Sequence, residues 1–492
     1  MLIVLILTAL AWPSEAQAPP PPSPSAAAEE AALPPEAPPV EEPLPPGTPT
    51  IALARAVALA LERNFGVLNA ADAVTTSRLR EGVSRAQFYP KLTPRFQRSQ
   101  ENSQFGLDAA QKLPWTGGTL TASAQLLSTL EQTGVTPGPL PRTSDFRLLV
   151  TQPLLRGFGP NAAFFDLRTS RRTREGQERS YEMGRQLLAV SVTRSFYEVV
   201  RQRQLLAVAR QSLDRSEKLR RASEARLQVG LVSKLDVFRA ELQASQAQES
   251  MVASESSLQA ELEHFRTLLG LSPTEPLQPE PVLLSEDASD ALEPVEVLTQ
   301  RALLHRLDLQ ETRDLVGDAH RSASLARQNL LPQLDLNLGV TQFGTGTSYG
   351  SAISAADRRV SVFLSTSYPL ERSSVAADKA AAELDLASRD RTLRQRELEI
   401  EAEVRSAVRE LERIRKSIDL QKKGVEVAEQ QRRLATLRYQ RGLASNFDVV
   451  DAEGSLVLAR SALVGLLTSY RVARVELLRV TGTLEVDREF KP

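Results

Sequence analysis

The sequence contains no cysteine and only three histidines in 492 residues. Disulfide frameworks, Cys-ligated zinc, iron–sulfur clusters and thiol catalysis are therefore excluded. Neither charge dominates: 60 Lys and Arg face 61 Asp and Glu, for a formal net charge of −1. That balance argues against a nucleic-acid binder and against an acidic tail protein. Only 5% of residues are aromatic, against 41% apolar and 25% charged. Such a chain has a thin core and suits long, polar-faced helices better than a thick globular body. There is no phosphate-binding glycine loop, no nucleophile elbow and no histidine cluster, so no enzyme and no cofactor or metal are expected. His264, His305 and His320 stand alone and read as ordinary helix residues. Beyond the N-terminus no run reaches 18 apolar residues, so no transmembrane helix is expected.

The N-terminal apolar run, Leu2 to Trp12, is too short to span a bilayer and matches a signal-peptide core. With Ala16-Gln17-Ala18 as the cleavage motif, residues 1–18 read as a signal peptide. Residues 19–49 are rich in Pro, Ala and Glu and cannot bury enough surface to offset their ordering entropy, so a disordered linker is expected. Export without cysteine fits a bacterial envelope.

The rest of the chain is one plan written twice. Val229-Gly230-Leu231-Val232-Ser233-Lys234-Leu235-Asp236-Val237 matches Arg441-Gly442-Leu443-Ala444-Ser445-Asn446-Phe447-Asp448-Val449 at an offset of 212. The match runs without a gap to Gly270 and Gly482. Upstream, Ala60-Leu61 aligns with Ala302-Leu303, and Tyr89-Pro90 with Leu331-Pro332, both at an offset of 242. The expected organisation is a first repeat at 50–270, a linker at 271–293, a second repeat at 294–482 and a tail at 483–492.

Each repeat holds a helix too long for a globular core, about 162–229 and about 372–441, with no proline inside. At 1.5 Å per residue, each rod is roughly 100 Å long. In the second rod, Ile400, Val404, Ala407, Leu411, Ile414, Ile418, Gln421, Val425 and Ala428 alternate spacings of four and three. That 3.5-residue period drives supercoiling against neighbouring helices. Gly230 and Gly442 sit where a helix end wants a left-handed residue. Ser233 and Ser445 each precede an Asp by three, as in a capping box. Each rod is thus expected to reverse into a return helix, about 233–269 and about 445–481, leaving an exposed tip.

Between the prolines the period changes to two. Leu334, Leu336, Leu338 and Val340 alternate with Asp335, Asn337, Gly339 and Thr341, and Leu120, Ala122, Ala124 and Leu126 with Thr119, Thr121, Ser123 and Gln125. These are strands with one apolar and one polar face. Thirteen of the 24 aromatic residues fall within 88–165 and 343–368, as in an outer-membrane barrel with interfacial girdles. A β-hairpin is expected at about 91–153 and another at about 333–368. Two hairpins cannot close a membrane barrel, whereas three copies of four strands would give about twelve. Pro90 to Pro153 spans 63 residues and Pro332 to Pro369 only 37. The excess includes Leu113-Pro114-Trp115-Thr116-Gly117-Gly118, a turn signature. It reads either as long loops or extension of the first hairpin, which is favoured, or as an added pair of strands.

The duplicated Gly-Leu-x-Ser-x-x-Asp-Val motif, the strand exits Gln152-Pro153-Leu154 and Tyr368-Pro369-Leu370, and the two-repeat plan together resemble the TolC family of outer-membrane efflux and secretion channels. The resemblance covers nearly everything after about residue 50. It implies an α+β, mostly helical fold in which a homotrimer builds a periplasmic α-barrel and an outer-membrane β-barrel set in lipid. It also implies a passive duct of a tripartite efflux pump or type I secretion system. The partners would be a periplasmic adaptor and, through it, an inner-membrane transporter. Adaptor contact would fall on Val229, Gly230, Leu231, Val232 and Ser233, and on Arg441, Gly442, Leu443, Ala444 and Ser445. Tyr439, Asp448 and Asp451 match the family's entrance pattern, Tyr-x-x-Gly and Asp-x-x-Asp, and Asp236 is the first-repeat counterpart of Asp448. Six carboxylates from three chains would attract cations. Capping alone also explains Asp236 and Asp448, whereas Asp451 is no cap, and its first-repeat counterpart at the 212 offset is Arg239. Ala444 stands where the family carries a basic gate residue. The competing reading is a periplasmic coiled-coil scaffold without a pore, which leaves the alternating segments unexplained.

Overall fold

The computed structural model describes residues 49–100, 102–129, 141–282, 284, 292–354 and 356–491. The expected signal peptide and, except for Pro49, the leader lie outside the described residues.

The first repeat opens with β1 (Thr50–Ile51), α1 (Leu53–Arg63) and α2 (Phe65–Ala86), followed by four strands: β2 (Lys91–Arg98), β3 (Asn102–Lys112), β4 (Thr119–Thr129) and β5 (Arg142–Pro153). A short α3 (Pro160–Ala163) leads into the rod α4 (Phe165–Gln228), and α5 (Lys234–Leu268) returns beside it. After β6 (Gln278–Pro279), the second repeat runs α6 (Val295–His305), α7 (Leu307–Gln328), β7 (Gln333–Gly346), α8 (Tyr349–Ser354), β8 (Asp357–Ser367), rod α9 (Ser373–Gln440) and return helix α10 (Asn446–Val480), closing with α11 (Val486–Glu489).

The rods hold 64 and 68 residues, which makes each about 100 Å long. Neither could stand alone. In each repeat the half of the rod near the sheet packs on the short helix before the strands, α2 or α7, and the half near the tip packs on the return helix. The seam of α9 buries Ile400, Val404, Val408, Leu411, Ile414 and Ile418. Val408 takes the place expected of Ala407, which is only half-buried, so the spacing there runs four, four, three. Gln421, at a seam position too, turns its amide to the Ala459 carbonyl at 3.0 Å rather than leave it unpaired.

Two related cores sit at mid-length. In one, Val57 and Ala60 of α1 meet Val192, Phe196 and Val199 of α4 and Phe265 of α5. In the other, Leu298 and Ala302 of α6 meet Ile400 and Val404 of α9 and Tyr470 of α10. The C-terminal segment does not trail free: Leu484, Val486 and Phe490 are buried in the first core. Helix α10 is, among the described residues, the one helix long and apolar enough by length and composition to cross a membrane. Core helices pass the same test, and α10 carries Arg460 near its middle. It lies along α9 and α4 instead, with Leu467, Tyr470 and Leu477 buried.

All six long strands form one antiparallel sheet in the order β2-β3-β4-β5-β7-β8. This corrects the favoured reading of residues 91–153 as a single long hairpin with loops. The excess residues form the added pair, β2 and β3. The physical reason is the turn at 113–118. Leu113 N–H donates to the Gly118 carbonyl at 2.7 Å, and Trp115 and Gly117 adopt positive φ of 68° and 79°. Trp115 stands edge-on to Phe164, with ring centres 5.3 Å apart. A side chain at Gly117 would come within 2.3 Å of the Gly157 carbonyl. The turn is thereby locked to the strand-to-helix junction and reverses the chain there.

Candidate functional site

The far ends of the two hairpins carry the residues the sequence singled out. Gly230 and Gly442 adopt φ of +74° and +73°, a conformation glycine enters without steric cost. Each reverses its rod by the same bonds: the glycine N–H reaches back three residues, and the next N–H five, a Schellman-type end. The new helix then starts at a serine. Asp236 N–H donates to Ser233 Oγ at 3.2 Å and Ser233 N–H to Asp236 Oδ2 at 3.2 Å, a full capping box. At the second tip, Ser445 N–H and Oγ both donate to Asp448 Oδ2, at 2.8 and 2.9 Å. These bonds from Ser445 hold the exposed Asp448 carboxyl below the usual carboxylate range.

The turns present apolar side chains to solvent. Leu231 and Leu443 are 74% and 75% exposed, and Val229 69%. Gly230, Ser233, Arg441, Gly442 and Ser445 are exposed beside them, with Val232 and Ala444 half-buried. Asp451 is exposed one turn beyond Asp448, on the same helix.

Tyr439 is placed differently from the two acids. It is buried, at 4% exposure, between α4 and α9. Its hydroxyl lies 2.9 Å from Ser223 Oγ, and the Arg226 guanidinium sits 4.4 Å above its ring. Arg226 also donates to the carbonyls of Tyr439 and Gln440, at 2.7 and 3.0 Å, joining the Gly442 N–H on the first of them at the end of α9. Tyr439 is thus a pin between the two hairpins and does not share an exposed surface with Asp448 and Asp451.

Several partners of this pin were not singled out in the sequence. Asn446 Nδ2 donates to the Asp236 carbonyl at 2.8 Å, tying tip to tip. Glu453, almost fully buried, accepts from Arg215 Nε at 2.8 Å, linking α10 to α4. Arg460 bonds Gln211 and Glu429, at 3.1 and 2.8 Å. Between the hairpins lies a cleft of about 370 Å³ that Arg215, Leu219, Tyr439 and Glu453 help to line. One signal was available: Glu453 recurs as Glu241 at the repeat offset. Its partner is 238 residues away, and no local pattern names it. Among the described residues no group of acids and histidines could hold a metal ion. This end presents exposed apolar side chains among charges of both signs, and ties two hairpins together.

The Outer membrane efflux protein family model matches residues 56–271 and 298–483, one match per repeat. No curated protein matches the chain. Among solved structures, the outer-membrane channel OprN aligns over 88% of this chain and 90% of its own, at 18% identity and a TM-score of 0.68. The outer membrane protein VceC from Vibrio cholerae covers 87% and 96%, at 17% identity and 0.67. The open state of the MtrE outer membrane channel of Neisseria gonorrhoeae covers 87% and 88%, at 16% identity and 0.61. At these identities the likeness is one of fold.

Proposed function

Because the chain belongs to the outer membrane efflux protein family, we propose how its parts divide the work of export. It is an outer-membrane channel that extends into the periplasm and serves as the exit duct of an efflux system. Three copies associate, with the apolar face of the joined sheet set in outer-membrane lipid and the rods side by side as a tube through the periplasm. The exposed turns at 229–233 and 441–445 dock a periplasmic adaptor, and an inner-membrane transporter supplies the energy. Asp448 and Asp451 ring the entrance and favour cations. Tyr439, with Ser223 and Arg226, holds the two hairpins of one protomer together and so opposes opening. The duct itself makes and breaks no covalent bond.

The observation that carries this reading is the division of one chain into a sheet with an apolar face and rods about 100 Å long. The rods end in turns whose leucines, Leu231 and Leu443, are about three-quarters exposed. A scaffold needs the rods and the turns but has no use for the sheet. The test is the mass of the protein drawn from isolated outer membranes in mild detergent, by light scattering. A trimer is expected; a monomer or dimer released with the soluble periplasm would sink the channel.

A further inference from the structure

We propose that each protomer contributes six strands, not four, to the outer-membrane wall. The closed barrel then has eighteen strands, with β2 of one copy paired to β8 of the next. This rests on the trimeric channel reading and adds to it the strand number, the interface and the width of the exit.

The first argument is the faces of the sheet. In register across all six strands runs the row Leu92, Ala109, Ala122, Leu148, Val340 and Val360. The adjacent row is Thr93, Asp108, Ser123, Arg147, Thr341 and Arg359. The first row is wholly apolar and the second wholly polar, and successive residues point to opposite faces. The added strands β2 and β3 therefore continue the lipid face and the water face of the other four without a break. Arg95 of β2 pairs with Asp108 of β3 on the water face, and Phe96 packs at a tilt against Phe105 on the lipid face, with ring centres 4.8 Å apart. A hairpin folded away as an external loop or an internal plug has no reason to keep both faces in register.

The second argument is anchorage. The β3–β4 turn is built into the rim by the Trp115–Phe164 contact, by the close approach of Gly117 to Gly157, and by Gly159 N–H on the Thr116 carbonyl at 3.2 Å. Gln111 Nε2 reaches the Phe88 carbonyl at 2.9 Å, fixing the foot of β3 to the end of α2.

The third is the edges. Strands β2 and β8 each have one neighbour, and every residue of both is exposed. In hydrocarbon an open edge is not tolerated, because its N–H and C=O groups have no water to bond. The strand number is even, so β2 leaves the periplasmic side and β8 returns to it, and the two meet antiparallel in a ring of identical copies. A second copy of this chain is the occupant that closes both edges at once. The edge strand β2 has only 8 residues and carries Pro94, features that discourage mispairing before assembly. At a strand spacing of about 4.8 Å and a tilt of about 40°, eighteen strands give a wall about 36 Å across, against about 24 Å for twelve. Barrels of this strand number hold an open aqueous channel. The exit then imposes little restriction on cargo size, and the entrance at the tips sets the limit.

The absence of native cysteine makes the test direct. Pairs L92C/V360C, L92C/V362C, F96C/V360C and F96C/V362C are oxidised in isolated outer membranes. The control pairs L120C/V362C and A122C/V360C place one thiol in β4. A ladder of disulfide-linked dimers and trimers from at least one β2–β8 pair, and from no β4–β8 pair, is expected. Ladders from β4–β8 pairs alone would place the hairpin outside the wall and leave a twelve-stranded channel, overturning this proposal but not the channel. A protein found as a soluble monomer would overturn both. Electron cryo-microscopy of the unsubstituted trimer, viewed down its axis, decides the same question without substitutions: a ring about 36 Å across supports eighteen strands, and one about 24 Å across refutes them.

Discussion

Replacing Tyr439 by phenylalanine removes one oxygen and little else. The ring stays under the Arg226 guanidinium, 4.4 Å away, and the backbone carbonyls that Arg226 holds are untouched. What is lost is the bond to Ser223 Oγ, 2.9 Å long and buried at both ends. A neutral buried hydrogen bond contributes about 1 kcal/mol net, which is about fivefold in the equilibrium between pinned and released hairpins. The stranded Ser223 hydroxyl can turn to a carbonyl of its own helix, which keeps the loss near that figure. If the three protomers of a trimer open together, the factor multiplies to on the order of 100-fold. The assay is the fraction of time a reconstituted channel spends in its high-conductance state in a planar bilayer. Tyr439→Phe should raise it, Ser223→Ala should raise it similarly, and the double variant should do no more than either single one. Open fractions equal to the unsubstituted channel, or fully additive effects, would refute the pin.

Three other perturbations follow from the same geometry. Asp448→Asn with Asp451→Asn should lower the cation preference of the reconstituted pore, read as a shift in reversal potential under a salt gradient; an unchanged potential would remove both residues from the entrance. Gly442→Trp puts a bulky side chain where φ is +73° and no atom lies within 4 Å, at a strain of about 1–2 kcal/mol. The long packed rods should tolerate that, so trimers should form while export fails, and normal export would sink the docking assignment. Burial works against the charge of Asp308, but the guanidinium groups of Arg306 and Arg396 pull its carboxyl from 3.8 down to about 2. A depressed carboxylate adds stability at neutral pH that is lost as pH falls from about 4 through about 2. Asp308→Asn should therefore lower the stability of the mid-length core at pH 7 and flatten its acid dependence, measured by circular dichroism across that range.

The residues differ in how far they could be read. Gly230 and Gly442, with the serines three positions later, named their own turns, because a helix end is decided by the few residues that supply its caps. The rods were legible for the same reason: the 3.5-residue spacing through Ile400 and Ile418 needs only its own helix to be seen. The strand β7 declared itself by strict alternation. The pair β2 and β3 did not, because Pro94, Gly106 and several charges dilute the alternation, and proline argues against a central strand. Within the single protomer β2 lies at the sheet edge, where that objection lapses, and only the tertiary arrangement shows it there.

At the tips, Tyr439 read as one of three entrance residues, yet it is buried by Ser223 and Arg226, both more than 200 positions away in the chain. Glu453 showed only its recurrence as Glu241 at the repeat offset, and nothing local named Arg215 as its partner. By itself, then, the sequence determined the duplication, the period of each segment and the sites of reversal, all of which depend on neighbours within a turn or two. The tertiary structure decided the number of strands in the sheet, the burial of Tyr439 and the pairing of Arg215 with Glu453. Those follow from which distant surfaces must cover one another, and a hydrogen bond or an apolar face in a crowded interior is satisfied by whatever the fold places beside it.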